Sequence, residues 1–187
     1  IWLGLVGSEM CIRDRKKSRQ VRAVILKGNG PSFSAGLDFA SAAKKPVGIA
    51  GAFLKNPLKE RNAFQQMCWV WRELPVPVIA VVQGNCFGGG LQIALAADFR
   101  LSARDARYSV MEIKWGLIPD LTGTKTLAEI LPMDKVKELA MTGRMVDADE
   151  ALSLGLVTRV CDDPADEAQA MAELFRGKSP DGLAGIK

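Results

Sequence analysis

The most informative absence from this sequence of 187 residues is histidine, of which there is none. A serine or cysteine nucleophile here would lack an imidazole base, so Ser-His and Cys-His catalysis is excluded, together with histidine-rich metal sites. The four cysteines show no Cys-x-x-Cys spacing, which argues against the common metal and redox motifs. We therefore predict no metal site, and we expect reduced, structural thiols in a reducing compartment.

Long apolar runs and aromatic residues are also scarce. No run approaches the ~20 residues that a membrane-spanning helix needs, and aromatic residues make up only 6% of the sequence. The net charge of +4 includes one basic run, which is formed by Lys16, Lys17, Arg19 and Arg22. No recognition motif accompanies this run, so we expect a solvated segment and no nucleic-acid partner, with a polyanionic small ligand left open.

The first fifteen residues are expected to be foreign to the fold. Residues 5–15 read Leu-Val-Gly-Ser-Glu-Met-Cys-Ile-Arg-Asp-Arg and resemble the translation of a transposon-end sequencing adapter. Such segments are left out of fold reasoning. We expect a non-native segment over 1–15 and one partial domain over 16–187, with a genuine N-terminal strand as the alternative. We also expect a cytoplasmic protein, although a targeting segment stays open if the natural N-terminus is missing.

Strand and helix patterns alternate along the rest of the chain. Apolar runs predict strands over 21–26, 78–82, 99–103 and 156–161. Helical spacing and end signals predict helices over 58–74, 91–97, 126–131, 133–142, 147–154 and 164–176. This order predicts an α/β fold in which strands lead into loops that share one site. Residues 40–57 form either an ordinary loop or a mobile segment over that site.

Two glycine-bearing loops follow predicted strands, Phe-Ser-Ala-Gly-Leu-Asp over 33–38 and Gly-Asn-Cys-Phe-Gly-Gly-Gly over 84–90. Glycine lets a carbonyl group approach the backbone, and the helix after the second loop would favour negative charge at its N-terminus. Tight packing is the alternative reason for these glycines. Neither loop continues into the Gly-Lys-Ser/Thr of a phosphate-binding loop. With the acids Glu112 and Asp120 downstream, the pattern indicates enolate chemistry.

The run from Val21 to Val160 resembles the crotonase, or enoyl-CoA hydratase/isomerase, superfamily. The resemblance rests on both loops, on Ala96-Ala97-Asp98 and on the stretch 112–124, in that order. It implies a crotonase-type ββα superhelix and acyl-CoA thioester substrates, with no cofactor because coenzyme A is part of the substrate. It also implies homotrimers or homohexamers, and further helices after Lys187, so the chain is expected to be truncated at both ends.

The resemblance assigns roles to particular residues. The backbone N–H groups of Leu37 and Gly89 would form an oxyanion hole, and Glu112 and Asp120 would be the catalytic acids. Backbone atoms around Ala35 and Leu37 would hold the CoA adenine. The substrate-binding candidates as a group are Ala35, Gly36, Asp38, Asn85, Phe87, Gly88, Gln92, Leu117 and Pro119.

The acids indicate the subclass. Hydratases of the family carry a glutamate where this chain has Gln92, and a neutral amide can hold water but cannot exchange a proton at pH 7. Asp120 stands where hydratases usually have glycine, a pattern closer to the isomerases. We therefore favour an enoyl-CoA isomerase, with a hydratase or a non-catalytic binding or assembly protein as alternatives. The apolar residues between the acids are expected to favour their protonated forms: Trp115, Leu117 and Ile118.

Overall fold

The computed structural model describes residues 20–36 and 60–187. The adapter-like segment, most of the basic run, residues 40–57, Leu37 and Asp38 lie outside the described residues. In chain order the described elements are β1 (Val24–Lys27), α1 (Ala63–Arg72), β2 (Val78–Val82), β3 (Asn85–Phe87), α2 (Gly89–Leu95), β4 (Phe99–Ala103), β5 (Arg107–Ser109), a 3₁₀ helix (Met111–Trp115), α3 (Gly123–Ile130), α4 (Met133–Thr142), β6 (Val146–Asp147), α5 (Ala148–Leu154), β7 (Arg159–Cys161), α6 (Pro164–Arg176) and α7 (Pro180–Ile186). The predicted α/β class is confirmed.

The larger sheet has the order β1-β2-β4-β7, and each neighbouring pair is parallel. Every residue of β2 is buried, as expected for a parallel strand that is covered on both faces. One face of β2 contributes Val78, Ala80 and Val82 to the main core. The other face contributes Ile79 and Val81 to a smaller core beneath α6. Alternate residues of β2 thus pack into two different layers, which fixes the position of the strand and of the segment that follows it.

A second, smaller sheet grows out of the glycine-rich segment after β2. Its order is β3-β5-β6, with β3 and β5 parallel and β5 and β6 antiparallel. The sequence predicts a loop over 84–90, but residues 85–87 pair with 107–109. Strands of two or three residues depend on partners distant in the chain, so local patterns did not reveal them.

Element ends differ from prediction where capping decides them. Helix α1 begins after Asn62, whose side chain accepts a hydrogen bond from Gln65 N at 2.8 Å, while Asn62 N donates one to Gln65 Oε1 at 3.2 Å. This capping box sets the start of the helix. Strand β7 begins only at Arg159, because the N–H groups of Leu156 and Val157 bond back to Ala151 O and close helix α5. Among the described helices, none is long and apolar enough to cross a membrane.

Backbone hydrogen bonds join the two predicted glycine-bearing loops. Ser34 N donates to Asn85 O at 2.9 Å, and Phe87 N donates to Ser34 O at 3.0 Å. Helix α2 then passes directly over this junction at Gly90, where a Cβ atom would lie 2.6 Å from Ser34 Oγ and 3.0 Å from Ser34 O. Gly90 is therefore required because Ser34 occupies the space of its missing side chain.

We expect Gly90→Ala to destabilise the fold by about 1–3 kcal/mol, the usual cost of forcing an extra methyl group into a packed region. Urea unfolding followed by circular dichroism would measure the loss. Gly30→Ala is the matched control, because a Cβ atom at Gly30 meets nothing within 4 Å. Equal stability of the two variants would contradict the packing argument.

Candidate active site

Glu112 lies near the start of the 3₁₀ helix, and its side chain is buried, with 8% of the residue exposed. The carboxylate packs against Gly88, the residue immediately before α2. A Cβ atom at Gly88 would lie 3.4 Å from Glu112 Oε1 and 3.9 Å from Oε2. Gly88 also has a φ of +51°, a conformation that side chains disfavour. A Cβ atom would thus make ordinary van der Waals contact with the carboxylate, and the positive φ is the reason for glycine at the beginning of α2.

Gln92, one turn into α2, connects Glu112 to the first residue of α3. Its Nε2 donates a hydrogen bond to Glu112 Oε1 at 2.6 Å, and its Oε1 accepts one from Gly123 N at 2.8 Å. Only 2% of Gln92 is exposed. Because both ends of the amide are bonded to protein groups, the side chain is held in one orientation. Its predicted contact with substrate or water stays a prediction.

The second oxygen of Glu112 is different. Within the described residues, Glu112 Oε2 is buried without a hydrogen-bond partner. Burial raises the pKa of the Glu112 carboxyl above its ordinary value of 4.5, opposed by its own backbone amide and by Gln92, while the charge of Asp120 adds to the rise. A carboxyl with a raised pKa holds its proton to higher pH than an exposed glutamate does, which suits it to proton transfer.

Asp120 lies close enough to Glu112 for the two charges to interact. Its side chain is half-buried, and its backbone N–H donates to Ile118 O at 2.9 Å in the turn before α3. The structure therefore brings the two predicted acids into one region. They differ in environment, since Glu112 is enclosed and Asp120 is partly open to solvent.

Gly89 is the first residue of α2, so its N–H has no acceptor within the helix. Gly89 is partly exposed, whereas Gly88 and Gly90 on either side are buried. The first loop comes close at Gly36, whose φ is +95° and where a Cβ atom would lie 3.2 Å from Phe87 O. Leu37, the other predicted oxyanion donor, follows directly but lies outside the described residues.

The expectation that the apolar stretch would surround the acids is wrong. Trp115, Leu117 and Ile118 are 60%, 46% and 67% exposed, because this stretch forms the outer side of the turn that follows Glu112. The carboxyl is enclosed from the interior instead. There the thiol of Cys68, on α1, is fully buried and lies near Glu112; burial raises its pKa to about 12, and the charge of Glu112 adds to the rise.

The remaining candidates occupy varied environments. Ala35 is exposed, Asn85 is half-buried, and Phe87 and Pro119 are buried. Their predicted contacts with substrate stay predictions. In the described parts of the chain, no group of three or more histidine, cysteine or acidic side chains is placed to hold a metal ion. Cys68, Cys86 and Cys161 are free thiols.

Two residues at the start of α3 were not recognised from the sequence. Gly123 supplies the N–H that orients Gln92, and Thr122 has a φ of +85°. Positive φ is rare for a β-branched residue and stores strain. It is held in place because Thr122 O accepts hydrogen bonds from Lys125 N and Thr126 N. A Thr-Gly pair indicates a helix start, but it does not reveal a partner thirty residues earlier.

Known proteins resemble this chain in sequence and in fold. A family model described as enoyl-CoA hydratase/isomerase matches residues 10–186. A solved structure of enoyl-CoA hydratase from Bacillus anthracis superposes with a TM-score of 0.85 at 29% identity, covering 96% of this chain and 68% of that one. The crotonase-type fold expected from the sequence is thereby confirmed.

Curated relatives carry three kinds of name. A probable enoyl-CoA hydratase from Bacillus subtilis is 35% identical, and the alignment covers 94% of this chain and 67% of that protein. A carnitinyl-CoA dehydratase from Citrobacter koseri is 38% identical, covering 90% and 62%. A mitochondrial Δ(3,5)-Δ(2,4)-dienoyl-CoA isomerase from Pongo abelii is 36% identical, covering 95% and 56%. The chain therefore spans 56% to 67% of the length of these relatives.

The raised pKa of Glu112 predicts a pH-dependent effect of Glu112→Gln on stability. Burial disfavours the ionised form of Glu112 only in the folded chain. The contribution of this side chain to the free energy of unfolding is therefore complete below pH 4.5, and it is lost as pH rises through the pKa of the folded state. The variant does not titrate, so its stability relative to the native protein should increase between about pH 4 and about pH 8.

Urea unfolding at both pH values measures this difference. Glu173→Gln is the control, because Glu173 is an exposed acid that pairs with Arg176 at the surface. A Glu112→Gln difference that stays constant or decreases with pH would show that the carboxyl is not destabilised by burial.

Proposed function

Because the chain belongs to the enoyl-CoA hydratase/isomerase family, we propose that it acts as an isomerase that moves a double bond in an enoyl-CoA thioester. The observation that carries this proposal is the state of Gln92. Adding water across a double bond with two acids needs a second carboxylate beside Glu112. That place is taken by a neutral amide that is bonded at both ends, which leaves one enclosed carboxyl for proton transfer.

The proposed reaction begins at a carbon made acidic by the thioester. Glu112 Oε2 takes a proton from that carbon, and the electron pair moves to the thioester oxygen to give a dienolate. Gly89 N–H, with Leu37 N–H as its expected partner, donates hydrogen bonds to this oxygen. Glu112 then returns the proton two carbons away, and the electrons shift back so that the double bond has moved. Each such donor is worth about 3 to 4 kcal/mol of barrier.

Asp120 extends this scheme to longer shifts. Its carboxylate lies near enough to influence the charge of Glu112 but is more open to solvent. One carboxyl can serve a 1,3 shift, whereas a 1,5 shift in a conjugated dienoyl chain is easier with two acids. Coenzyme A would enter as part of the substrate, and the proposed reaction requires no further cofactor.

A second candidate function is hydration or dehydration. It is favoured by the names of two relatives, the carnitinyl-CoA dehydratase at 38% identity and the probable enoyl-CoA hydratase at 35%. In that case Glu112 would activate water or protonate a departing hydroxyl group without a second carboxylate at position 92. The third reading, a binding or assembly protein that has kept the fold, predicts no turnover that depends on Glu112.

Supplying the purified protein separately with a 2-enoyl-CoA, a 3-enoyl-CoA and a 3,5-dienoyl-CoA discriminates these functions. The isomerase reading predicts that the double bond moves without change in mass, which chromatography and mass spectrometry would detect. A product heavier by one water molecule, formed without isomerisation, would contradict it and support the hydratase.

Substitutions of the acids test their roles. Glu112→Gln should lower kcat by about 10² to 10⁴-fold, the usual contribution of a positioned general acid-base group. Asp120→Asn should lower the 1,5 shift more than the 1,3 shift. Glu173→Gln again serves as the control. Turnover that Glu112→Gln leaves unchanged would contradict the role of Glu112, whereas no turnover by the native protein with any of the three thioesters would favour the non-catalytic reading.

A further inference from the structure

The backbone orients the side-chain amide of Gln92 independently of the carboxylate that the amide contacts. The N–H of Gly123 can only donate a hydrogen bond, and it lies 2.8 Å from Gln92 Oε1. The Nε2 end must therefore face Glu112, where it donates to Oε1 at 2.6 Å. Reversing the amide would leave a buried N–H group without an acceptor and facing another donor, which is costly.

This orientation makes the two carboxylate oxygens of Glu112 unequal. Oε1 accepts a hydrogen bond from an amide that has only N–H groups to offer at that end, so a proton placed on Oε1 would face another donor. Oε2 is buried and has no partner in the described part of the chain. We propose that Gln92 is a positioning residue that holds Glu112 Oε1 and reserves Oε2 as the atom that takes up and returns the proton.

This inference rests on the proposed isomerase function, and it adds a residue that does not itself react. The titratable groups that face Glu112 from neighbouring described elements are Asp120, from the turn before α3, and Cys68, from α1. Neither can replace the amide as a fixed donor to Oε1. Asp120 carries like charge, and the thiol of Cys68 is only a weak hydrogen-bond donor.

The decisive variant is Gln92→Met, which keeps a similar length and removes the amide. The lost hydrogen bond stabilised the charged form of Glu112, so the titration of Glu112 should move to higher pH. Carbon-13 NMR of protein labelled at glutamate carboxyl groups measures this without any substrate, with Glu112→Gln identifying the signal. In turnover, kcat should fall about 10- to 100-fold, the usual effect of losing a bond to a charged group, with KM changed less than about threefold.

A second variant, Gln92→Glu, distinguishes positioning from simple packing. When protonated, a carboxylic acid at this position can still donate to Glu112 Oε1 while its other oxygen accepts from Gly123 N–H. When ionised, it can only accept, and two carboxylates then compete for one proton. Glu112 must be ionised to take a proton from carbon, so we expect Gln92→Glu to be active only while one of the two carboxyl groups still carries a proton. Its activity should therefore fall at high pH, where the native protein stays active.

Gly123→Ala disturbs the same contact without changing Gln92. A Cβ atom at Gly123 would lie 2.5 Å from Gln92 Oε1 and 2.8 Å from its Cδ, so the amide must move. This variant should shift the Glu112 titration in the same direction as Gln92→Met. Tyr108→Phe is the control, because it removes an equally buried hydrogen bond, from Tyr108 Oη to Ser102 Oγ at 2.7 Å, from a residue that is not among the groups that shift the pKa of Glu112.

Each outcome decides something. A Glu112 titration that does not move in folded Gln92→Met protein, or that moves equally in Tyr108→Phe, overturns the positioning role. A titration that moves together with kcat supports it. If the Glu112 titration moves but neither the native protein nor any variant shifts a double bond, the result supports the positioning of Glu112 by Gln92 and overturns the isomerase function. Circular dichroism of each variant confirms that the comparison is made between folded proteins.

Discussion

The hydrogen bonds of one buried amide connect the parts of the site that the fold brings together. A buried carboxyl is stable only where hydrogen bonds replace some of the water it has lost. Glu112 meets this requirement through Gln92, and Gln92 in turn is fixed by Gly123. The contact joins α2, the 3₁₀ helix and α3. These elements share no local sequence signal, and their arrangement depends on the packing of α2 against β3, α1 and α3.

Glycine has a steric role at two points of this region, and each point involves a different neighbour. Ser34 occupies the space of a side chain at Gly90, and Gln92 does so at Gly123. The permissive backbone of glycine therefore explains only part of its presence. The larger reason is that functional side chains and the first loop approach the main chain more closely than a Cβ atom would allow.

Much of the fold could be predicted from the sequence where an element is long and carries its own pattern. The continuous apolar runs gave strands 78–82 and 99–103, and the periodic segments gave helices 133–142 and 164–176, with the same ends as in the structure. Strands β3, β5 and β6 were missed because their two or three residues take their conformation from non-local pairing. Glu112 and Asp120 were identified as a pair of acids. The expectation that the apolar residues between them in the sequence would enclose them was wrong, because such residues can point outward at a turn.

The difference between the two carboxylate oxygens of Glu112 bears on which reaction the site can perform. Water addition needs a group that activates water and another that supplies a proton to carbon, so two exchangeable acids in contact are an advantage. Proton return to carbon needs a single acid that retains the proton between the two steps. An enclosed carboxyl suits the second requirement when one oxygen is bonded to a fixed amide and the other has no partner among residues 20–36 and 60–187. Its burial slows exchange with solvent, and its raised pKa reduces the tendency to lose the proton before the double bond has moved.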